Sequence, residues 1–285
     1  MAGHTLEIIF QDTVNVEDWI PSFAPFKIEC GTKDLFSINI KMDVTPTSIT
    51  ESFVTEFDVD GMNFHISKSE DNGYHYKISN PQKPDFWCDL FTNSDFSDGK
   101  AFLNGPAALR HYALGNFLML MYGFSSATQN TLLFHSSVIE KDGKGFLFLG
   151  KSGTGKSTHS RLWLENIPET SLLNDDNPVV RVIDGKAFVY GSPWSGKTPC
   201  YKNRMVEIGG FVRLKQYPAN IIAQQTGVKA YATLIPSISN MIWDKRVSQG
   251  ISDAISSLAT ICKVYQLQCL PNAEAAYLSY ETLTK

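Results

Sequence analysis

Eight residues near the middle of the chain constrain its fold more than any other segment. Residues 150–157 read GKSGTGKS, which is the spacing of a phosphate-binding loop. Glycines let the backbone turn tightly enough for successive N–H groups to point at one anion, and the positive end of the following helix adds to that attraction. The segment therefore predicts a buried strand at residues 145–149, a loop and then a helix.

The loop residues predict how a nucleotide triphosphate is held. We expect Lys156 to reach the β and γ phosphates as a point charge, and the Ser157 hydroxyl to coordinate Mg²⁺. ATP and Mg²⁺ are accordingly the predicted ligands. The other predicted ATP-binding residues of this segment are Gly150, Ser152, Gly153, Thr154, Gly155 and Thr158.

Charge and cysteine content limit the partners. The net charge is −4 at pH 7, and no run of lysines and arginines offers a local basic patch, so nucleic acid is an unexpected partner. No apolar stretch is long enough to span a bilayer, and we expect no membrane association. Five cysteines without CxxC pairs favour reduced thiols and a cytoplasmic location. Whether the chain forms a homo-oligomer stays open.

Hydrophobic periodicity divides the chain into two predicted domains, in an α+β or α/β fold. Residues 1–128 show alternating segments, for example 26–30 and 36–40, with hairpin signals such as Asp60-Gly61, which indicate an antiparallel β-rich domain ending in a helix. Residues 129–285 alternate strands and helices but also contain hairpin turns, which predicts a phosphate-loop domain with a mixed sheet.

Two acidic residues follow the loop after a short stretch of sequence. A short apolar run ends in Asp175-Asp176, and one such carboxylate could bind the cation while its neighbour accepts the proton of an attacking hydroxyl. His135 lies 21 positions before Lys156 in another apolar segment. We therefore regard His135, Lys156, Asp175 and Asp176 as the candidate catalytic residues.

This combination resembles a known family. The His135-Ser136-Ser137 segment, the loop at 150–158 and the acid pair are similar to the ATP-binding core shared by HPr kinase/phosphorylase and the ATP-dependent phosphoenolpyruvate carboxykinases. Residues 190–197 and 265–276 are also similar to segments of small HPr-kinase-like proteins. The resemblance covers residues 132–283, and it implies a phosphoenolpyruvate-carboxykinase-like or HPr-kinase-like fold for the second domain.

The resemblance also implies roles for individual residues. It assigns phosphate and metal binding to Lys156 and Ser157, and places His135 and both aspartates around the reacting centre, with Mg²⁺ or Mn²⁺ as the metal. We assign Asp175 to the metal and Asp176 to the base, although the reverse order stays open. Lys197 is a candidate for a second phosphate contact. Two further arginines could stabilise transferred charge, but surface ion pairs are the favoured interpretation for both, Arg204 and Arg213.

Three functional hypotheses follow. The leading one is an ATP-dependent kinase that transfers the γ-phosphoryl group to a hydroxyl of a protein serine or a small metabolite. The second is a small carboxykinase-like enzyme that acts on oxaloacetate or another keto acid. The third is a non-catalytic ATP sensor, in which the first domain engages a partner when ATP fills the second.

Overall fold

The computed structural model describes residues 1–29, 31–47, 50–196 and 198–285, and over these ranges the chain forms two compact units. One unit is Gly3–Ser126, and the other combines Met1–Ala2 with Ala127–Lys285. Arg181 Nη1 donates a hydrogen bond to the Ala2 carbonyl oxygen at 2.7 Å, which ties the first residues to the second unit. The predicted Lys197 contact lies outside the described residues.

The first unit is a sheet covered by one long helix. In the described part of the chain its strands lie in the order β1-β2-β7-β6-β5-β4-β3. The strands are β1 (Leu6–Phe10), β2 (Phe36–Met42), β3 (Glu51–Val59), β4 (Met62–Ser69), β5 (Tyr74–Asn80), β6 (Lys83–Thr92) and β7 (Asp98–Leu103); the helices are α1 (Val16–Trp19), a 3-10 helix (Pro21–Phe26) and α2 (Ala107–Ser126).

This sheet is mixed, which corrects the prediction of an antiparallel one. Strands β3 to β7 form the predicted antiparallel meander, but β1 pairs with β2, and β2 with β7, in parallel. Alternation and turn residues reveal which segments are strands and which neighbours share a hairpin. They do not reveal the partner of a strand such as β2, which pairs with the last strand of the meander instead of the first.

The prediction of a strand at residues 26–30 is also wrong for residues 26–29, which the structure describes. Residues 21–26 form a 3-10 helix, and residues 27–29 belong to no strand. Pro21 stands in the first turn of that helix, where a residue without an N–H group and with a fixed φ is well tolerated. A five-residue alternation is too short to outweigh this local preference.

The hairpin signals are confirmed. Asp60 and Gly61 join β3 to β4 with φ values of 52° and 75°, so both central residues are left-handed. That conformation matches the twist of the flanking strands in a two-residue turn. The hairpin turns predicted in residues 129–285 include two with the same pair of residue types, Asp142-Gly143 and Asp184-Gly185, and these four residues also have positive φ values.

The two faces of the first sheet differ in chemistry. Residues that point towards α2, such as Phe64, Tyr76 and Leu90, are buried. Phe64 contacts the Tyr112 ring of α2, with ring centroids 6.3 Å apart. Because successive strand residues point to opposite faces, the other face carries the intervening residues of β4, β5 and β6, most of which are polar.

The second unit is built on a branched sheet. Its strands are β8 (Thr131–Leu133), β9 (Ser136–Lys141), β10 (Lys144–Leu149), β11 (Ser171–Asp176), β12 (Val179–Ile183), β13 (Lys186–Tyr190), β14 (Met205–Gln216), β15 (Ile221–Gln225) and β16 (Val264–Cys269). Its helices are α3 (Lys156–Asn166), α4 (Val228–Leu234), α5 (Lys245–Ile261) and α6 (Ala273–Thr284), with 3-10 turns at Ala127–Gln129 and Ile235–Ser237. Within the described ranges, no helix of either unit combines the length and apolar character needed to cross a membrane.

Strands β11, β9, β10 and β14 lie side by side in this order, and the sheet branches at β14. The first residues of β14 continue to β13, β12 and β8, and its last residues pair with β16, which pairs with β15. β10, β14 and β16 are parallel and the other pairs are antiparallel, so the mixed sheet predicted for this half is confirmed. Helices α3 and α6 cover one face through a core that includes Phe146, Phe148 and Trp163.

Candidate functional site

The glycine-rich loop lies between β10 and α3, in the order that the sequence predicts. Gly153 and Gly155 adopt φ values of 77° and 106°, which residues with a Cβ atom rarely adopt. Gly155 immediately precedes α3, and no side chain caps the first N–H groups of that helix. These N–H groups, with the positive end of the helix, are therefore available to an anion.

Lys156 folds back over the loop. Its Nζ atom donates to the Gly150 carbonyl at 3.0 Å and to the Lys151 carbonyl at 3.5 Å. Thr154 stabilises the same turn, because its Oγ1 donates to the Lys151 carbonyl at 2.6 Å. Ser152 is exposed. The ammonium group thus lies beside the loop backbone, where phosphate oxygens would be bound.

The β9–β10 hairpin explains why the other predicted residues lie near the loop. β9 begins where β10 ends, so His135, which precedes β9, is at the same edge of the sheet as the loop. β11 pairs with β9, and Asp176 lies opposite Ser136 in this pairing. Ser136 in turn lies opposite Leu149, the last residue before the loop. Sheet register therefore brings the acid pair to the loop.

The two aspartates have different surroundings. Asp175 is only 7% exposed, and its Oδ1 atom has no hydrogen-bond partner. Asp176 Oδ2 accepts a hydrogen bond from Asn177 Nδ2 at 2.8 Å. Consecutive strand residues point to opposite faces, and Asp175 is the one on the side of α3. Its unpartnered oxygen could therefore serve as a ligand for a cation.

A cavity of about 350 Å³ lies between the start of α3 and β11. Ser157, Thr158, Asp175 and Thr198 are among its lining residues. A serine hydroxyl and a carboxylate are hard oxygen ligands, and Mg²⁺ commonly binds to one or two such groups while phosphate and water complete its shell. Ser157 and Asp175 therefore fit a Mg²⁺ ion. Among the described residues, no group of three or more His, Cys, Asp or Glu side chains is arranged to hold a metal.

The charged groups of the site act on one another. Burial lowers the pKa of His135, the positive charge of Lys156 lowers it further, and Asp176 opposes both effects. Burial also lowers the pKa of Lys156, the Asp176 and Asp175 carboxylates oppose this change, and the charge of Arg213 adds to it. The structure thus brings the four candidate catalytic residues into one electrostatic cluster, together with an arginine.

Residues 191–196 contact the end of β11, where the acid pair lies. Asn174 Nδ2 donates to Ser192 Oγ at 3.1 Å and to the Trp194 carbonyl at 3.2 Å. A Cβ atom on Gly196 would lie 2.7 Å from the Asp175 carbonyl oxygen, so the backbone approaches there more closely than a side chain allows. Part of the segment singled out in the sequence at 190–197 therefore packs on the end of β11.

Arg213, for which the sequence favoured a surface ion pair, lies beside the candidate site. It lies opposite Leu149 in the parallel pairing of β10 and β14, is half-buried, and donates from Nη1 to the Thr233 carbonyl at 3.0 Å. The surface ion pair expected for both arginines is found at Arg204, whose guanidinium binds the Glu140 carboxylate with two hydrogen bonds. The pairing of β10 with β14 would have distinguished the two arginines, but no local pattern encodes it.

Comparison with known proteins gives one kind of match. No protein-family model matches the sequence, and no curated protein matches it either. Among solved structures, the chain is similar to the Hpr(Ser) kinase/phosphatase from Coxiella burnetii, with 14% sequence identity and a TM-score of 0.30. The alignment covers 53% of this chain and 93% of that one. At this similarity, a functional assignment depends on the residues of the site itself.

Proposed function

We propose that this chain is an ATP-dependent kinase that transfers the γ-phosphoryl group of ATP to a hydroxyl group of a protein serine or a small metabolite. The supporting observation is the convergence of Lys156, His135 and the acid pair at one edge of the sheet. Phosphoryl transfer needs a phosphate cradle, a bound cation and a group that accepts a proton; the loop with Lys156 could provide the first, and the acid pair could bind the cation and accept the proton.

In this proposal the loop and the start of α3 bind the phosphates of ATP. The uncapped N–H groups and the Lys156 ammonium would hold the phosphate oxygens, as their positions beside the loop allow. Ser157 and Asp175 would hold the metal ion. Bound Mg²⁺ supplies positive charge that offsets the charge of the β and γ phosphates.

The transfer step assigns the proton to Asp176. As the acceptor oxygen forms its bond to the γ-phosphorus, the Asp176 carboxylate takes the hydroxyl proton. The bond between the γ-phosphorus and the oxygen that bridges to the β-phosphate breaks, and its electron pair leaves with ADP. The reverse assignment, with Asp175 as base and Asp176 at the metal, uses the same two side chains. His135, whose pKa is lowered, is a neutral hydrogen-bonding group at neutral pH.

Labelled ATP and an Asp-to-Asn series test the proposal. We expect the full-length protein with Mg²⁺ to transfer γ-phosphate to an acceptor from a panel of protein and metabolite hydroxyls. Asp176→Asn and Asp175→Asn should both reduce transfer, the base variant by about 100-fold or more, while ATP binding by the base variant persists. Asp184→Asn is the matched control, because this exposed turn residue has a φ of 48°, which asparagine tolerates.

Other outcomes favour the alternative functions. ATP binding without transfer to any acceptor, with a cellular role that survives Asp176→Asn, would favour a sensor. Manganese-dependent decarboxylation of oxaloacetate with ATP would favour a carboxykinase-like enzyme.

A further inference from the structure

A second polar cavity lies in the first unit, on the sheet face opposite α2. Its volume is about 410 Å³, within the range of small-molecule sites. Alternate residues of β4, β5 and β6 form its floor, and residues 45–47 form part of its rim. In the strand pairing, His65 lies opposite Lys77, and Lys77 lies opposite Asp89, so these three side chains form one row across the floor.

Asp89 is the most informative residue of this cavity. It is 1% exposed, and its Oδ1 atom pairs with His75 Nε2 at 2.8 Å. Its Oδ2 atom has no hydrogen-bond partner. An unpaired buried carboxylate oxygen costs roughly 1–3 kcal/mol or more. Asp89 is also a lining residue of the cavity, so a ligand in the cavity is the nearest source of a hydrogen-bond donor for this oxygen.

His75 bridges two carboxylates. Its Nδ1 lies 2.7 Å from Glu51 Oε2, its Nε2 contacts Asp89, and its ring stacks on Phe91 with centroids 4.2 Å apart. Burial lowers the pKa of His75, but the hydrogen bonds and charges of Asp89 and Glu51 outweigh burial, and the net effect raises it. Each ring nitrogen faces a carboxylate oxygen, so the ring contacts both carboxylates fully only when both nitrogens carry a proton, as in an imidazolium ion.

Lys77 supplies a second positive charge. Its Nζ atom lies 4.0 Å from the centroid of the Trp87 ring, a cation–π contact. His65, on the neighbouring strand, is close to Glu56, with 3.5 Å between Nδ1 and Oε2. Glu51 and Asp89 are thus balanced by His75 and Lys77, and the cavity offers both hydrogen-bond acceptors and donors beside aromatic walls.

The presence of both positive and negative groups in the cavity favours a neutral ligand over a charged one. An anion would approach the Asp89 and Glu51 carboxylates, and a cation placed at Asp89 Oδ2 would lie beside His75, which contacts the other oxygen of that carboxylate, and in the same row as Lys77. Each would meet like charge in a partly dehydrated site, where repulsion is strong. A neutral hydroxyl can donate to Asp89 and accept from Lys77 without either penalty.

We propose that this cavity binds a neutral polyhydroxylated molecule of the size of a monosaccharide, disaccharide or sugar alcohol. One hydroxyl donates to Asp89 Oδ2, another accepts from Lys77, and the carbon skeleton packs on Trp87 and Phe91. The site is independent of the proposed kinase activity, because all of its residues belong to the unit Gly3–Ser126.

Calorimetric titration of the full-length protein tests this proposal. The neutral probes are D-glucose, maltose and D-mannitol, and the charged probes are D-glucosamine and D-gluconate. We expect at least one neutral probe to bind with a millimolar or lower Kd and the charged probes to bind at least about tenfold more weakly. Asp89→Asn should weaken binding by about 10- to 100-fold. Asp85→Asn, an exposed residue of the same strand outside the cavity, should not.

A second pair of variants covers the case in which Asp89→Asn does not fold. Lys77→Gln should weaken binding of the same neutral probe several-fold, whereas Lys41→Gln, at an exposed position on β2, should not. The proposal is overturned if the folded wild-type protein binds none of the neutral probes, or if a charged probe binds as tightly as they do. It is also overturned if neither Asp89→Asn nor Lys77→Gln changes the affinity.

Discussion

Buried carboxylate oxygens without a partner are informative at the scale of single residues. Among the described residues, two such oxygens occur, Asp175 Oδ1 and Asp89 Oδ2. Each lines a cavity, and each lies near a basic group of its own unit. The cost of leaving such an atom unpaired is comparable to a substantial part of the stability of a small domain. We therefore interpret both atoms as ligand positions.

The two arginines considered in the sequence give a matched residue-scale prediction. Arg213→Met should reduce the rate of phosphoryl transfer by about 100-fold or more, because it removes a guanidinium that lies near Lys156 and can stabilise the transferred charge. Arg204→Met should leave the rate within about twofold, because its ion pair with Glu140 lies at the surface. Single-turnover kinetics with both variants measures this difference, and equal losses would contradict the assignment of Arg213.

At the scale of elements, one hydroxyl links α3 and α6 by hydrogen bonds. Ser279 Oγ donates to the Ala276 carbonyl at 2.9 Å and accepts from Trp163 Nε1 at 2.9 Å. His159 Nε2 lies 3.0 Å from the same oxygen. Because the single Ser279 proton goes to Ala276, we assign the His159 proton to Nε2. The imidazole is then neutral, as its burial requires.

This contact predicts a pH dependence of stability. Burial lowers the pKa of His159 from 6.5 to about 4. Between these values the unfolded chain binds a proton that the folded chain does not, so the free energy of unfolding falls as the pH decreases from about 6.5 towards 4. The full loss from this group is about 3 kcal/mol. Urea denaturation across this pH range should show a flatter profile for His159→Gln.

A surface histidine provides the control for that experiment. His111 is exposed on α2, and His111→Gln should retain the pH profile of the wild-type protein. An unchanged slope in His159→Gln would show that other groups cause the acid sensitivity.

Elements with strong local signals could be predicted from the sequence, and elements defined by distant pairing could not. The final helix begins where Asn272, a residue type favoured at helix N-caps, accepts the Ala275 N–H at 3.1 Å. The phosphate loop and the Asp-Gly turns also have the expected conformations. The parallel pairings of β2 and the neighbourhood of Arg213 depend on residues far apart in the chain, and no local pattern specifies them.

At the scale of the whole molecule, the predicted candidate site is assembled by one sheet. His135, Lys156 and the acid pair come from segments separated by up to about 40 positions, and the pairing of β9 with β10 and β11 brings them together. Residue types and spacing indicated which side chains to consider. The shape of the cavity, the burial of Asp175 and its unpartnered oxygen depend on how the elements pack. The sequence alone does not predict this packing.

A ligand that binds the folded protein should stabilise it, which gives the whole-molecule prediction. At a concentration of Mg²⁺ and ATP about 100 times the Kd, the free energy of unfolding should rise by about 2.7 kcal/mol. Differential scanning calorimetry should then show a transition shifted upward by several degrees. Lys156→Met should abolish this shift, because it removes the ammonium beside the loop, whereas Lys41→Met should preserve it. A shift that survives Lys156→Met would place nucleotide binding elsewhere.

The row that runs from Asp176 through Ser136 and Leu149 to Arg213 has a consequence for tolerance to mutation. Main-chain ladders fix the span between its acidic and basic ends, at about 4.8 Å for each step between neighbouring strands. Substitutions of other interior side chains can therefore change the stability of the fold without changing this span. Slippage of one ladder by a single residue would instead turn the acid to the opposite side and disconnect it from the guanidinium.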